Sequence, residues 1–457
     1  MRTFIILRGP QASGRTRFIC ENGMSPWHVD QRAIEALTCE PVIDRNGAMV
    51  FDRKSRGRAR ERVLDALREK FMRGSLVLFE PTDTGSPVGR ATVAASDRTI
   101  LAAIDEARAW RYRILIIDFT EGLCAQDLEA LQAQRPDPFY LGVRGNIGRN
   151  LAHMRRRVGF EDIDASWTTP SEIAAAGGLL PLIEPASVDI NHFDNVVAIG
   201  DIHGCHRTLT ALIGPDGPRP DVAYIFTGDY INKGPRSAQV LTYLLDQFEG
   251  RDNAFFLHGN HEKALEDWVA GRPVRKKAFS TTTLPDFEAR RFAKRDARRF
   301  LSMLSDALRL EWNGLTILAS HGGFARVPHY LSLLSGEHLA YGTEDALFDV
   351  DAAWEAGVLA GDIPGSNRLI QVHGHRNNHA LPVTAGAGSF NLEGGVEAGG
   401  AMRAVILQKR GEGETRISTL EVPNCEARAG REEQKTSRSE GVAPFEAHRD
   451  TSIQEIV

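Results

Sequence analysis

No apolar stretch in this sequence approaches the ~18 residues that a membrane-spanning helix needs. The apolar start, Phe4 to Leu7, is too short for a signal-peptide core and runs straight into glycine. A cytoplasmic protein without membrane attachment is therefore expected. Cysteine is scarce: Cys20, Cys39, Cys124, Cys205 and Cys425 are the only five in 457 residues, scattered and without CxxC spacing. That excludes a disulfide framework and a zinc ribbon and leaves reduced, structural thiols. A basic excess is missing too, with 55 Lys and Arg against 60 Asp and Glu and a net charge of −5. A bulk nucleic-acid coat is excluded, and a local basic groove is not. What remains, 42% hydrophobic and 25% charged, is ordinary globular composition, and a chain of 457 residues calls for two or three domains.

Residues 1–164 alternate between strands and helices. TFIILR (3–8) is a short apolar run followed by a glycine loop and a helix from about Thr16. RARERVLDALREKF (58–71) has helical spacing and leads to the apolar run SLVLFE (75–80). A helix near 98–110 leads to RILIIDF (113–119), and NIGRNLAHMRRRV (146–158) reads as a helix with one basic face. This rhythm predicts an α/β domain with a parallel sheet. Residues 165–192 have no clear period and read as a linker. A second β/α series spans 193–424, with runs NVVAIG (195–200), DVAYIFTG (221–228), NAFFLHG (253–259), LTILASHGG (315–323) and RLIQVHGH (368–375). Residues 425–457, rich in Glu, Arg, Ser and Gly, read as a disordered tail.

Gly9 to Thr16, GPQASGRT, stands between a strand and a helix and matches G-x-x-x-x-G-K-[ST] except that Arg15 replaces Lys. Such a loop points backbone N–H groups at phosphate oxygens, and the helix start adds partial positive charge. ATP would lie against Gly9, Gly14 and Arg15, with the Thr16 hydroxyl on Mg²⁺; the other reading is a plain glycine turn in a nucleotide-free domain. Arg15 keeps the charge without the compact ammonium geometry. A kinase also needs a base and further cations. Asp30 and Arg32 are either that base and an acceptor-phosphate contact or the solvated start of a helix. Glu80 and Asp118 each close an apolar strand and could hold Mg²⁺ through water. Arg135, Arg144 and Arg149 lie where a lid would reach phosphates, and an ordinary charged helix surface is the other reading of Arg149.

The second series carries an ordered set: GDIHG (200–204), GDYINKGP (228–235), GNHE (259–262), SHGG (320–323) and HGH (373–375). Asp, Asn and His at successive strand ends supply hard oxygen and imidazole nitrogen, which suit manganese, with iron, zinc or nickel as alternatives. Two cations need one bridging carboxylate, and Asp229 is the natural bridge. Asp201 and His203 reach one metal; Asn260, His321 and His375 close around the other. His261 follows a ligand directly and is assigned as general acid, with Glu262 holding its second nitrogen. Lys233 and Arg236 are assigned to the substrate phosphate. His373 is either a further ligand or an inward residue of the last strand. Arg155–Arg157 and Arg275–Lys277 are either basic contacts to nucleic acid or solvated charged surface.

These motifs resemble the calcineurin-like metallophosphoesterases, in the branch that includes serine/threonine phosphatases and diadenosine tetraphosphatases. The resemblance runs from about 195 to 410, since NLEGGVEAGGAMRAVIL (391–407) also looks like that branch's closing segment. Family members usually show Asp-Arg-Gly where this chain has Asn232, Lys233 and Gly234, and usually Asp where Glu393 stands. A P-loop kinase-like domain ahead of such an α/β sandwich resembles the bacterial polynucleotide kinase-phosphatases. That resemblance implies a 5′-OH kinase joined to a phosphatase acting on 3′-phosphate or 2′,3′-cyclic phosphate ends of RNA or DNA, with a separate RNA ligase as partner. Two rival expectations stand beside it. One is a phosphoprotein or dinucleoside polyphosphate phosphatase with a regulatory nucleotide-binding domain; the other is a nucleotide-sensing or RNA-binding protein with impaired sites.

Overall fold

A computed structural model describes residues 2–10, 13–43, 49–51, 53–82, 95–134, 147–157, 159–345, 348–360, 368–376, 388–426 and 453–456. The chain divides into two compact units, Met1–Glu184 with Ser332–Ser335, and Pro185–Leu331 with Gly336–Val457.

The first unit is built on strands β1 (Thr3–Arg8), β2 (His28–Asp30), β5 (Val77–Glu80), β6 (Arg113–Asp118) and β7 (Ser166–Thr168), with a separate hairpin of β3 (Pro41–Ile43) and β4 (Met49–Phe51). The sheet order is β2-β5-β1-β6-β7, and every pairing is parallel. The continuous apolar runs read from the sequence are what a sheet covered on both faces requires. Along β1 the side chains alternate: Phe4 and Ile6 pack with Val63, Leu67 and Ile104 on one face, Ile5 and Leu7 with Ile19 and Ile117 on the other.

The segment read as a 165–192 linker carries regular structure in its first part, and the boundary between the two units falls within it, after Glu184. Ser166–Thr168 is the edge strand β7. Thr169 then starts the helix Pro170–Ala175 with a capping box to Glu172, and Ile173, Leu179 and Ile183 are buried in the first unit's core. Burial of these three apolar side chains is the reason that a stretch without clear period folds.

The second unit contains two sheets. One has the order β12-β11-β10-β9-β17-β18-β19 and the other β16-β15-β14-β13-β8. Their strands are β8 (Val188–Asp189), β9 (Asn195–Ile199), β10 (Val222–Phe226), β11 (Ala254–Leu257), β12 (Leu304–Ser305), β13 (Ala307–Trp312), β14 (Leu315–Ser320), β15 (Leu369–His373), β16 (Ser389–Asn391), β17 (Ala401–Gly411), β18 (Glu414–Pro423) and β19 (Ile453–Ile456). Val196, Ala198, Ala223 and Ile225 of the first sheet meet Leu310, Trp312, Ile317 and Val372 of the second in one core. The opposite face of the larger sheet, Ile199, Tyr224, Phe226 and Phe256, packs on Leu241, Leu244 and Phe248 of helix Ser237–Phe248 and on Phe300. The α/β sandwich expected for this half is therefore present.

The tail expected over 425–457 is only partly accounted for: residues 427–452 lie outside the described residues, but Glu426 is buried and Ile453–Ile456 pairs with β18. That pairing covers an otherwise open sheet edge. Among the described residues no helix is long and apolar enough to cross a membrane.

Candidate metal centre

Strands β9, β10 and β11 run parallel, as do β14 and β15, and the chain leaves each of them into a glycine-containing turn. Asp201 and His203 follow β9, Asp229 follows β10, Asn260 and His261 follow β11, His321 follows β14 and His375 follows β15. The turns are tight. A Cβ on Gly259 would fall 2.3 Å from Asp229 Oδ1, and one on Gly374 would fall 2.0 Å from Asp201 Oδ1. His203, Asp229, Asn232, Lys233 and His375 all have left-handed φ, between 45° and 72°, a conformation that non-glycine residues adopt at a cost and that gathers at functional turns.

The strand ends bring Asp201, His203, Asp229, His321 and His375 together. Asp229 presents Oδ2 to His203 Nε2 at 3.6 Å and to His261 Nε2 at 3.8 Å, and Oδ1 to His321 Nε2 at 3.3 Å. Three groups of possible ligand atoms, each within 4.8 Å of one another, follow from this: His203, Asp229 and His261; Asp229, His321 and His375; and Asp201, His203 and Glu393. Asp229 belongs to two of them, as a bridging carboxylate would.

The polar atoms fit cations in their unsatisfied valences as well. Asp201 Oδ2, Asn260 Oδ1 and His321 Nε2 are buried without a hydrogen-bond partner, and each such atom costs about 1–3 kcal/mol unless something else satisfies it. His203 Nδ1 lies 3.2 Å from Ile231 O and His321 Nδ1 2.8 Å from Thr227 O. A carbonyl only accepts, so both Nδ1 atoms carry hydrogen, which leaves Nε2 as the inward-facing atom through which each ring, when neutral, would ligate.

Electrostatics agree with that arrangement. Burial, with Glu393 and Asp229 nearby, holds the Asp201 carboxyl well above the usual range. Burial would raise Asp229 too, but His321, His261 and His203 outweigh it and hold that carboxyl well below. Burial, opposed by Asp229, pushes His261 down to about 3, and burial beside His321 does the same to His375.

Several assignments made from sequence change. Glu262 does not hold His261. Its carboxylate accepts from the backbone N–H of Asp229 at 2.9 Å, Gly259 at 2.9 Å and Tyr230 at 3.0 Å, tying the two turns together. Buried there next to Asp229, its carboxyl is pushed up to about 8. The side chain on His261 Nδ1 is that of Asn232, at 2.9 Å. Arg236 is ion-paired with Glu426, whose carboxylate also accepts the Arg207 N–H, so that arginine is committed to structure and not to a phosphate. Lys233 does face the site: its Nζ is 2.9 Å from His203 Nε2 and 2.8 Å from Glu397 Oε1. His373 has Gly374 O at 3.1 Å from Nδ1 and Asp351 Oδ1 at 3.0 Å from Nε2. With both ring nitrogens turned to acceptors, it is an inward strand residue and not a ligand.

Sequence reasoning missed three groups. Glu393, noted only as a departure, joins Asp201 and His203. Glu397 anchors Lys233. Lys276, read as part of a basic surface run, is half-buried with Nζ 3.4 Å from Asn260 O, and burial lowers its ammonium although Asp229 and Glu262 oppose this. The run of cations was the only signal for Lys276.

In the first unit Gly9 and Gly14 take the expected places between β1 and the helix Arg15–Glu21, Gly9 packed against Phe119 and Gly14 at φ 92°. Arg15 is not where a phosphate contact requires it. The guanidinium is buried, donates to Pro81 O at 2.8 Å and to Leu7 O at 3.4 Å, and lies 3.5 Å from Glu80, because those carbonyls and that buried carboxylate attract its donors. Thr16 Oγ1 donates to Glu80 at 3.0 Å. Asp30 caps the helix Gln31–Thr38, accepting from the N–H of Arg32 at 2.8 Å and of Ala33 at 3.3 Å, so the helix-start reading describes the pair. Asp118 accepts from Thr120, and Arg157 lies 3.6 Å from it and over the Trp167 ring. Arg135 and Arg144 lie outside the described residues, and Arg149 is on the helix Ile147–Arg155.

Residues 195–405 match the calcineurin-like phosphoesterase family. Among curated relatives, the serine/threonine-protein phosphatase rdgC of Drosophila melanogaster is 30% identical over 156 residues, 32% of this chain and 21% of its own. The serine/threonine-protein phosphatase PP1-delta of Caenorhabditis elegans is 24% identical over 118 residues, 26% of this chain and 36% of its own. The chain thus spans about a fifth to about a third of the length of these relatives. A crystal structure of a putative diadenosine tetraphosphatase shares 19% identity, covering 52% of this chain and 97% of that one with a TM-score of 0.34.

Proposed function

We propose that the carboxy-terminal half, which carries a calcineurin-like metallophosphoesterase domain, hydrolyses phosphate esters at a pair of divalent cations, and that its substrates are nucleic-acid ends bearing 3′-phosphate or 2′,3′-cyclic phosphate. The observation that carries the hydrolytic reading is Asp229, which offers one carboxylate oxygen to His203 and the other to His321 in a site where Asp201 Oδ2, Asn260 Oδ1 and His321 Nε2 have no other partner. Asp201, His203 and Asp229 would hold one cation; Asp229, Asn260, His321 and His375 the other. When bound, such a pair activates water and neutralises phosphate oxygens.

This chain's own residues do the rest. Lys233 and Lys276 bring positive charge to the phosphate. Glu262 fixes the turns that carry Asp229 and Asn260, and His261 presents a ring nitrogen to the leaving oxygen. Nucleic-acid ends are supported by the neighbouring unit, where a glycine loop follows β1 and Thr16 is bonded to Glu80 at the end of the adjacent strand. Arg15 is occupied there, so phosphoryl transfer from ATP to a 5′-OH end is expected only if nucleotide binding draws its guanidinium off Pro81 O.

The test is hydrolysis of p-nitrophenyl phosphate with Mn²⁺, followed by parallel assays on 3′-phosphate and 2′,3′-cyclic oligonucleotides, a phosphoserine peptide and a dinucleoside polyphosphate. Activity abolished in Asp201→Ala and His321→Ala is expected. Activity that persists in both variants removes the metal assignment, and exclusive turnover of the phosphopeptide removes the nucleic-acid substrate.

A further inference from the structure

The smaller sheet of the second unit buries one face, with Leu310, Ile317 and Ile370 in the core. Strand alternation therefore turns Arg309 on β13, Thr316 on β14 and Leu369 on β15 to the other face, where they line a groove of about 1230 Å³. The helix Val350–Ala360 lines it too, with Ala353, Ala356, Gly357 and Ala360, one stripe at helical spacing whose side chains are too small to fill the space. Cations gather here: Arg309, Arg326, His329 and Arg368 stand against one lining carboxylate, that of Glu344. Arg309 is half-buried, Arg326 and Arg368 are exposed, and among the described residues no ion pair forms to any of the three. Glu311, on the same face as Arg309, accepts from Thr316 Oγ1 at 2.8 Å instead. A half-buried guanidinium without a carboxylate lacks the charge that would offset its desolvation, and a ligand phosphate supplies that charge.

The groove adjoins the metal centre. Arg326 is five residues past His321, at most about 18 Å along an extended chain. Tyr341 has its ring perpendicular to that of His375 at 5.4 Å, and two residues further on Thr343 and Glu344 line the groove. Arg376 fastens this segment to the His321 turn, donating to Gly322 O at 2.8 Å and to Asp345 O at 2.7 Å. Phe348, another lining residue, is 43% exposed and Tyr341 is 44% exposed.

We propose that this groove binds the single strand that carries the reacting end, with Arg309, Arg326 and Arg368 on backbone phosphates and Tyr341 and Phe348 stacked on bases. The inference rests on the nucleic-acid reading of the substrate and names the surface that holds the strand. Charge complementarity identifies the occupant. The chain as a whole is net negative at −5, yet three arginines without carboxylate partners, from β13, from the segment after β14 and from the residue before β15, line one cavity. A repeated cation matches a repeated anion. A phosphopeptide brings one phosphate, which a single arginine satisfies, and it has no need of two exposed rings. A single strand offers a phosphate and a stackable face at every nucleotide. The groove is also larger than the roughly 300–1,000 Å³ of a small-molecule pocket. Phosphate contacts and stacking carry no sequence code, so the strand is held without base preference.

The experiment is fluorescence anisotropy of a 5′-labelled oligonucleotide ending in 3′-OH, a product that is not turned over, titrated with the Mn²⁺-loaded full-length protein at several salt concentrations. Each phosphate contact adds about 0.7 to the salt slope for single strands. The double variant Arg326→Ala with Arg368→Ala, both exposed side chains, should therefore lower the slope by about 1.4 and weaken binding at least about tenfold. Phe348→Ala should weaken binding by about tenfold and keep the slope, which separates bases from phosphates. A wild type that binds no oligonucleotide, or a double variant with unchanged affinity and slope, overturns the proposal. So does a phosphoserine peptide that binds with this arginine dependence while the oligonucleotide does not, since the groove then takes protein. If the strand binds as expected and no 3′-phosphate or 2′,3′-cyclic end is hydrolysed, the end-processing reading fails and the groove stands. Hydrolysis of such ends with the same KM in wild type and double variant keeps that reading and overturns the groove.

Discussion

Asp229 supplies both of its oxygens to the site, Oδ2 toward His203 Nε2 at 3.6 Å and Oδ1 toward His321 Nε2 at 3.3 Å, closer than Asp201 stands to either ring. Asp229→Asn replaces one oxygen by a donor and removes the charge, so both cations should be lost together. Metal analysis after gel filtration should fall from about two Mn²⁺ per chain to well under one. Loss of a single equivalent would show that the cations bind independently of this residue. Lys276 acts at a different stage. It reaches the site from a half-buried position beside Asn260, where a charge-assisted contact to phosphate is worth about 1.5–3 kcal/mol, reduced by its partial exposure. Lys276→Ala should raise KM roughly tenfold and leave kcat within about threefold, as removal of an interaction common to ground and transition states does. A fall in kcat at constant KM would give the lysine a role in bond breaking instead.

At the level of elements, the strands that carry ligands were readable because each is a buried apolar run that stops at Asp, Asn or His beside glycine. Asn195–Ile199, Val222–Phe226 and Leu369–His373 lie within the runs read from sequence. Partners created by sheet order were not readable. Asn232 and His261 are 29 residues apart and meet only because β10 and β11 are neighbours; the adjacent Glu262 was the nearer guess and turned out to bind backbone. Gly259 shows how closely those turns are packed. Gly259→Ala would put a methyl 2.3 Å from Asp229 Oδ1 and 2.4 Å from its backbone nitrogen, so loss of metal and of activity is expected, with chelator-treated protein destabilised by much less than the loss of activity implies.

The helix Val350–Ala360 offers a pH test. Burial would raise the Asp351 carboxyl, but His373 and the hydrogen bonds from His373 and Ser389 outweigh it and hold it below the ordinary value. A depressed carboxyl adds stability above its unfolded pKa of about 3.9, and the contribution is lost as pH falls through the folded value. Asp351→Asn should therefore melt below wild type at pH 7, and the gap should close as pH drops below about 4. A gap that is constant with pH would mean that the carboxylate charge contributes nothing.

For the whole molecule, the decisive fact is that each unit has its own core. Phe4, Phe79 and Ile116 belong to the first, while Phe226, Phe256, Trp312 and Val372 belong to the second. All the candidate ligands, Asp201 through His375, lie in the second. A ligand that binds only the folded form stabilises the unit that holds it by RT ln(1 + [L]/Kd), which is about 2.7 kcal/mol at a hundredfold excess over Kd. The metal-free second unit, in addition, keeps Asp201 Oδ2 and Asn260 Oδ1 buried without partners. Calorimetry of the full-length protein should thus resolve two transitions, and EDTA should lower one by several degrees and leave the other in place; Mn²⁺ should restore it. Asp229→Asn should already melt at the EDTA position and no longer respond to chelator. If both transitions moved together, stability would pass between the units, and the activity of one could then be tuned by ligands of the other.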